Sequence, residues 1–130
     1  MWIYDGKKFS EELIDNNVGF VYKIINIDNG KTYIGKKLFT KSKIYQKNKK
    51  KKRTRVASDW IEYTGSNEEL NEDIKNGAKI QKFIIHLCKS KGWCTYWETK
   101  EILTKDAIID PMFYNSWVSC KIRRSHLKCQ

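Results

Sequence analysis

The sequence predicts a mixed α/β (α+β) fold in which helices flank a small, mostly antiparallel sheet of three strands. Two observations carry this prediction: a hairpin pattern around Asn29-Gly30, and a later apolar run that lies between segments with helix-capping signals. A length of 130 residues, 40% of them apolar, fits one domain with a modest core. We therefore expect a single domain over residues 1–130, with a basic loop or insertion at about residues 40–56.

Three strands are predicted. In residues 18–27 apolar side chains occupy both alternating faces, which is typical of a central strand packed on both sides. Asn29-Gly30 is a strong signal for a two-residue hairpin turn, so residues 31–39 are predicted to return antiparallel. The apolar run of residues 79–88 predicts the third strand.

Helices are predicted at residues 58–66, 66–77, 94–109 and 110–122. The second begins at Ser66, which can form a capping box with Glu69. The last begins with Asp110 as its cap and Pro111 in its first position, where the missing N–H of proline does no harm.

The charge balance indicates an anionic partner. The formal net charge at pH 7 is +11, from 26 lysines and arginines against 15 acidic residues. Charge of this size favours a nucleic acid or an anionic membrane surface. No apolar run approaches the roughly eighteen residues of a membrane helix, and the N-terminus lacks the apolar core of a signal peptide. We therefore expect a cytoplasmic, intracellular protein without a membrane segment.

A strongly basic segment follows the second strand. Eleven of the twenty residues 36–55 are lysine or arginine and none is acidic. Such a segment repels itself, which predicts either a mobile loop or a long extended hairpin. Its cations are expected to follow nucleic-acid phosphates with little sequence discrimination. The residues expected to bind nucleic acid are Lys36, Lys41, Lys43, Lys50, Lys51, Lys52 and Arg53, with Tyr63 as a further phosphate ligand.

Strand alternation gathers reactive side chains on one face of the hairpin. Tyr33, Gly35 and Lys37 share a face, and a two-residue turn places Tyr22 opposite Lys37. Two phenols beside an ammonium suit a phosphate oxyanion and an attacking water. On spacing alone, two half-buried sheet tyrosines remain the simpler interpretation, because tyrosine favours strands.

The four cysteines and three of the tryptophans are interpreted as structural residues. The cysteines lack the spacing of zinc-finger ligands and are expected to behave as buried or incidental thiols: Cys88, Cys94, Cys120 and Cys129. Three tryptophans are assigned to the core: Trp93, Trp97 and Trp117.

The stretches Gly19-Phe20-Val21-Tyr22 and Tyr33-Ile34-Gly35 resemble the signature of the GIY-YIG nuclease family. Glu98 in "YWETKEI" and Asn115 in "FYNSW" match the downstream glutamate and asparagine of that family. The resemblance covers residues 18–117. Within the family, the chain resembles phage-borne stand-alone members, the Seg-like homing endonucleases. This resemblance implies a GIY-YIG-like fold and a DNA endonuclease encoded by a phage or mobile element, acting in the cytoplasm of the host cell.

The resemblance also implies a mechanism. One Mg²⁺ or Mn²⁺ ion would be held by Glu98, and Tyr22 or Tyr33 would position or deprotonate the attacking water. Asn115 would hold Glu98 or a neighbouring backbone group in place.

The sequence differs from the family in the basic side chain that would neutralise the scissile phosphate. The family usually places an arginine on the helix after the second strand, where this chain is rich in lysine. Lys37 and Arg55 are the candidates for that role, with Lys43 as a further alternative.

Double-stranded DNA is the expected partner, and site specificity would come from this domain, from a homodimer or from another protein. Two other functions stay open: a nucleic-acid-binding module of the same fold without catalysis, and a basic protein that binds an acidic protein partner.

Overall fold

Seven strands and two α-helices form residues 1–127, the part of the chain that the computed structural model describes. The strands are β1 (Trp2–Tyr4), β2 (Lys7–Lys8), β3 (Gly19–Asn26), β4 (Thr32–Leu38), β5 (Thr40–Lys47), β6 (Lys50–Ala57) and β7 (Ile80–Cys88). The helices are α1 (Glu68–Lys75) and α2 (Lys91–Thr104), and short 3₁₀ helices cover Glu11–Leu13 and Arg124–Leu127. Residues 128–130 of the predicted domain, including Cys129, lie outside the described residues.

Five strands form the central sheet in the order β2-β1-β7-β3-β4. Strand β3 is antiparallel to both of its neighbours, β4 and β7, whereas β1 runs parallel to β7. The predicted mixed, mostly antiparallel class is confirmed, but the sheet has five strands rather than three. The additional strands, β1 and β2, are too short to leave an alternating pattern in the sequence.

The hairpin of β3 and β4 has a longer loop than predicted. Backbone hydrogen bonds close residues 27–30 into a four-residue loop instead of a two-residue turn. Tyr22 therefore pairs with Gly35 rather than with Lys37, a shift of two residues. Because side chains alternate with a period of two, an even shift leaves each side chain on its predicted face.

The two faces of the sheet bury separate apolar clusters. On one face the cluster is aromatic and includes Trp2, Phe20, Tyr22, Phe39 and Trp60. On the other face the cluster lies under α2 and includes Val21, Ile34, Cys88, Cys94 and Ile102. The burial of Cys88 and Cys94 agrees with their interpretation as apolar thiols, whereas Cys120 is exposed.

The basic segment forms an extended hairpin, the second of its two predicted conformations. Strands β5 and β6 pair with each other as a separate two-stranded sheet, and nearly all of their residues are exposed. Residues 40–57 are named the basic hairpin below. At its base, Ser58 donates from its N–H to the Phe39 carbonyl at 2.9 Å and from Oγ to the Leu38 carbonyl at 2.6 Å. These bonds attach the basic hairpin to the end of β4.

The helices differ from their predicted bounds. Residues 58–66 form turns instead of a helix. Helix α1 is capped by Asn67 rather than Ser66, and the Asn67 Oδ1 accepts from the Leu70 N–H at 2.9 Å. Helix α2 begins at Lys91, earlier than predicted, with Ser90 as its cap. Across residues 1–127, neither helix is both long and apolar enough to cross a membrane.

The helix predicted at residues 110–122 is replaced by a chain that runs along β4. The Thr32 N–H donates to the Met112 carbonyl at 2.9 Å, and the Tyr114 N–H donates to the Thr32 carbonyl at 2.8 Å. Strand β4 lies at the edge of the sheet, so its outer backbone groups need partners. Satisfying them overrides the local helix-start signal of Asp110 and Pro111.

A buried lysine anchors the loop between the basic hairpin and α1. The Lys82 Nζ donates to the carbonyls of Ile61 at 3.0 Å and Tyr63 at 2.8 Å, and it lies 4.3 Å from the centroid of the Trp2 ring. Burial lowers the pKa of Lys82 to about 8, because apolar surroundings disfavour the charged form. The ammonium holds the loop that carries Tyr63 against β7.

We predict that Lys82→Met lowers the free energy of unfolding by about 1–3 kcal/mol, because two loop carbonyls lose a charged donor. Denaturant unfolding followed by tryptophan fluorescence measures the change. Lys79→Met is the matched control, since Lys79 is exposed just before the same strand. Equal stabilities of the two variants would contradict the anchoring role.

Candidate active site

The phenol of Tyr22 crosses the neighbouring strand at Gly35. The Tyr22 side chain is only 1% exposed, and the two residues pair across β3 and β4. A Cβ atom at residue 35 would lie 2.4 Å from the Tyr22 hydroxyl oxygen, so only glycine leaves room for this approach. Gly65, at a φ of +85°, comes close as well, and a Cβ there would lie 3.2 Å from the same oxygen. The hydroxyl is therefore enclosed by two residues without side chains.

Three tyrosines meet at this point. The ring centroids of Tyr22 and Tyr33 are 6.2 Å apart, and those of Tyr22 and Tyr63 are 6.1 Å apart. Burial raises the pKa of Tyr22 well above its usual value and also raises that of Tyr33, and the nearby charge of Glu98 adds to both effects. Both hydroxyls are therefore neutral at pH 7, and each can donate one hydrogen bond and accept others.

Glu98 enters the same region from helix α2. It lines a cleft of about 740 Å³ together with Tyr22 and Tyr33, at the outer edge of β4. Burial raises the pKa of the Glu98 carboxyl, and the nearby Lys36 ammonium opposes that shift. Within residues 1–127, the carboxylate has no salt-bridge or hydrogen-bond partner. The cleft thus contains a half-buried carboxylate without a bonded counter-charge.

Asn115 closes the edge of β4 beside the cleft. Its Oδ1 accepts from the Ile34 N–H at 3.0 Å, and its Nδ2 donates to the Ile34 carbonyl at 2.9 Å. The side chain is 92% buried, and it continues the pairing that residues 112–114 make with Thr32. Of the two roles predicted for Asn115, the structure shows bonding to a neighbouring backbone rather than to Glu98.

Adjacent lysines of β4 have different surroundings. The Lys36 Nζ donates to the Thr95 Oγ1 of α2 at 2.7 Å, and Lys36 lines the cleft. The Lys37 Nζ instead pairs with Asp59 at 2.7 Å and lies 3.9 Å from the centroid of the Tyr63 ring. Strand alternation predicts Lys37 in the site, whereas the structure places Lys36 in the cleft wall and Lys37 outside it.

Arg55, the other predicted phosphate ligand, also lies outside the cleft. Its guanidinium donates across the basic hairpin to the Thr40 Oγ1 at 2.8 Å and to the Ser42 Oγ at 3.0 Å. These bonds hold it in a separate groove of about 400 Å³ at the base of the basic hairpin. The predicted nucleic-acid ligands of the hairpin are all exposed: Lys41, Lys43, Lys50, Lys51, Lys52 and Arg53.

The cleft also includes residues that the sequence does not mark as part of a site. Trp117 is assigned to the core, but it is 73% exposed and lines the cleft. Ser66 and Asn67 line it from the start of α1. No periodic pattern marks these residues, because they lie in irregular segments. Trp93 and Trp97 are partly buried in the cluster under α2, in agreement with their assignment to the core.

The site and the fold define the class of this protein. A tyrosine-bearing hairpin, a glutamate-bearing helix and an edge-sealing asparagine follow one another in the order of the nuclease signature, and all of them border one cleft. A comparison with protein families matches residues 2–118 to the family described as "Putative endonuclease segE, GIY-YIG domain". The chain belongs to the GIY-YIG nuclease family, as the resemblance predicts, and nucleic acid is the substrate class that this family implies. No curated protein and no solved structure matches the chain.

We predict that Gly35→Ala displaces the Tyr22 phenol and lowers the free energy of unfolding by about 1–3 kcal/mol, because the new methyl group would overlap the Tyr22 hydroxyl. Denaturant unfolding measures the loss. Gly77→Ala is the control, since a Cβ there meets nothing within 4 Å and bears only the strain of a φ of +97°. If the Gly35 variant is at least as stable as this control, the close approach is wrong.

Proposed function

We propose that the protein is a DNA endonuclease that uses a divalent metal ion to hydrolyse phosphodiester bonds in the cleft of Tyr22, Tyr33 and Glu98. The observation that supports this most strongly is the convergence of these three side chains from two strands and a distant helix. In the reaction, a water oxygen bonds to phosphorus while one ester P–O bond breaks. One proton of the water passes to the leaving oxygen, and the other is left on the phosphate product or released to solvent.

The Glu98 carboxylate fits one Mg²⁺ or Mn²⁺ ion. Its burial raises its pKa, and a cation beside it would offset the cost of holding a charge there. A hard cation prefers oxygen ligands and retains several waters, so one carboxylate and substrate phosphate oxygens suffice. Within residues 1–127, no group of three or more His, Cys, Asp or Glu side chains lies together as a metal site, so substrate and water oxygens would have to complete the coordination that Glu98 begins. When bound, such an ion supplies positive charge that stabilises the phosphorane-like transition state and the leaving oxygen.

The phenols of Tyr22 and Tyr33 suit an orienting role. A neutral hydroxyl can donate to a phosphate oxygen or accept from the attacking water. The raised pKa values of both tyrosines favour orientation of that water over its deprotonation by a phenolate. The enclosure of the Tyr22 hydroxyl by Gly35 and Gly65 keeps its position fixed before the substrate binds.

Lys36 is the cation that we assign to the scissile phosphate. It shares the cleft wall with Glu98, whereas Lys37 is engaged by Asp59 and Tyr63. An ammonium offers a point charge rather than the fork of an arginine, so it neutralises the phosphate without fixing two of its oxygens.

Double-stranded DNA is the substrate that we propose. The net charge of +11 and the exposed cations of the basic hairpin support a long polyanion as the partner. The likeness to phage-borne stand-alone nucleases supports two further proposals: a phage or mobile element encodes the protein, and it acts in the host cytoplasm. A homodimer would supply a second cleft for the second strand.

We predict that Glu98→Gln reduces nicking of supercoiled plasmid in Mg²⁺ or Mn²⁺ by at least about a hundredfold, because the amide is a poor ligand for a hard cation. Agarose gels of plasmid conversion over time measure the rate. Manganese binding, followed by calorimetry, is expected to be lost in the same variant.

Glu101→Gln is the matched control on the same helix. Glu101 pairs with His86 at 3.0 Å and Lys105 at 2.9 Å and does not line the cleft, so the variant is expected to cleave normally. The alternative of an inactive nucleic-acid-binding module predicts no cleavage by the wild type in either metal. That outcome, or full activity of Glu98→Gln, would refute the nuclease proposal.

We predict that Lys36→Ala slows cleavage by about tenfold to a hundredfold, and that Lys37→Ala slows it less. Initial nicking rates at saturating metal rank the two variants, and their unfolding curves separate rate effects from lost stability. The opposite ranking would restore the assignment made from strand alternation and contradict the role given to Lys36.

A further inference from the structure

The basic hairpin has two chemically different faces. Its strands pair from Thr40 opposite Ala57 to Lys47 opposite Lys50, and directly opposed residues share a face. One face, named the lysine face, contains Lys41, Lys43, Lys47, Lys50 and Lys52. The opposite face, named the arginine face, contains Ser42, Ile44, Gln46, Lys51, Arg53 and Arg55. Both arginines and the only amide on the two strands therefore lie on the same side.

Both faces are exposed along most of the basic hairpin, and only at its base does the arginine face border a groove that residues of α2 also line. The hairpin forms its own two-stranded sheet, and all but one of its strand residues are exposed. Nine of the eighteen residues 40–57 are basic and none is acidic, so like charges repel across the strands. A hairpin of this kind has little intrinsic stability and is stabilised by a polyanion that neutralises it.

The dimensions of the hairpin suit the major groove of duplex DNA. Each strand has eight residues and spans about 27 Å. A two-stranded ribbon fits a major groove about 12 Å wide but not a minor groove about 6 Å wide. The bonds of Ser58 to Leu38 and Phe39 attach this ribbon to the strand that carries Tyr33 and Lys36, so a bound hairpin has a fixed position relative to the cleft.

The side chains of the arginine face match the functional groups on base edges. Arginine can bind O6 and N7 of guanine with two hydrogen bonds, and glutamine can do the same with N6 and N7 of adenine. Arg53 lies opposite Ile44, and Gln46 lies opposite Lys51, both towards the tip of the hairpin. Arg55 lies at the base and is already bonded to Thr40 and Ser42, so it stiffens the ribbon. Besides Tyr45 and Thr54, the lysine face offers flexible point charges, which suit phosphates.

The geometry points to a division of labour in DNA binding, which rests on DNA being the substrate as proposed above. The basic hairpin enters the major groove with the arginine face towards the bases, where Arg53 and Gln46 select the sequence. The lysine face points outward, and its long side chains reach the phosphates on both sides of the groove. The domain thereby carries its own sequence preference, and cleavage falls at a fixed distance from the selected bases.

Binding selection from a randomised duplex library tests this proposal, with the full chain and without divalent metal so that DNA is bound but not cut. The wild type is expected to enrich a short motif. Arg53→Lys keeps the charge, so it should relax one position of the motif by roughly fivefold to a hundredfold while the salt dependence stays the same. Lys52→Ala, on the neighbouring residue of the other face, should keep the motif, weaken binding to all sequences alike and reduce the salt slope by about one.

The outcomes separate this inference from the nuclease proposal. Salt-dependent binding without any enriched motif overturns the division of labour, and so does a motif that changes with Lys52→Ala but not with Arg53→Lys. Plasmid cleavage by the same preparations is scored independently. If the protein cleaves plasmid but enriches no motif, the nuclease proposal stands and the division of labour is overturned. If it enriches a motif but does not cleave, the division of labour stands and the nuclease proposal is overturned. If the protein shows neither cleavage nor salt-dependent binding of DNA, both proposals are overturned.

Discussion

The Tyr22 phenol reaches the edge of the sheet because residue 35 of the adjacent strand has no side chain. Any Cβ there would overlap the hydroxyl, so the position of Tyr22 and the identity of Gly35 depend on each other. Tyr33 and Tyr63 pack against the ring placed in this way, and Gly65 lets the loop approach it. The tyrosine side of the cleft therefore depends on the close approach of the Tyr22 phenol to Gly35.

The edge position of β4 decides which other residues join the cleft. Tyr22, Tyr33 and Tyr63 extend into the cleft from the aromatic face of the sheet, and Glu98 extends into it from α2 on the opposite face. An edge strand exposes unpaired backbone groups, and Asn115 with the preceding residues occupies them. Because β4 also continues into the basic hairpin, one strand links the side chains proposed for catalysis with those proposed for DNA recognition.

Local patterns predicted the central hairpin and the parts of the fold that depend on periodicity. The hairpin loop has four residues where the sequence predicts two, yet the resulting shift of two residues preserves the faces of Tyr22 and Lys37. The cap predicted at Ser66 is displaced by one residue to Asn67, whose amide also donates to the distant Tyr114 carbonyl. The helix predicted from Asp110 is replaced because residues 112–114 pair with Thr32. Lys36 is predicted from the sequence as a nucleic-acid ligand but not as part of the cleft, because strand alternation assumes a site on one face, whereas this cleft lies at an edge that both faces reach.

The location of the bound metal tests the central claim most directly. Crystals grown with Mn²⁺ and a duplex bearing a non-hydrolysable linkage allow the ion to be located by its anomalous scattering. One manganese peak is expected within coordination distance of the Glu98 carboxylate, with the modified phosphate between that ion and the hydroxyls of Tyr22 and Tyr33. A peak elsewhere on the protein, or DNA bound away from this cleft, would contradict it.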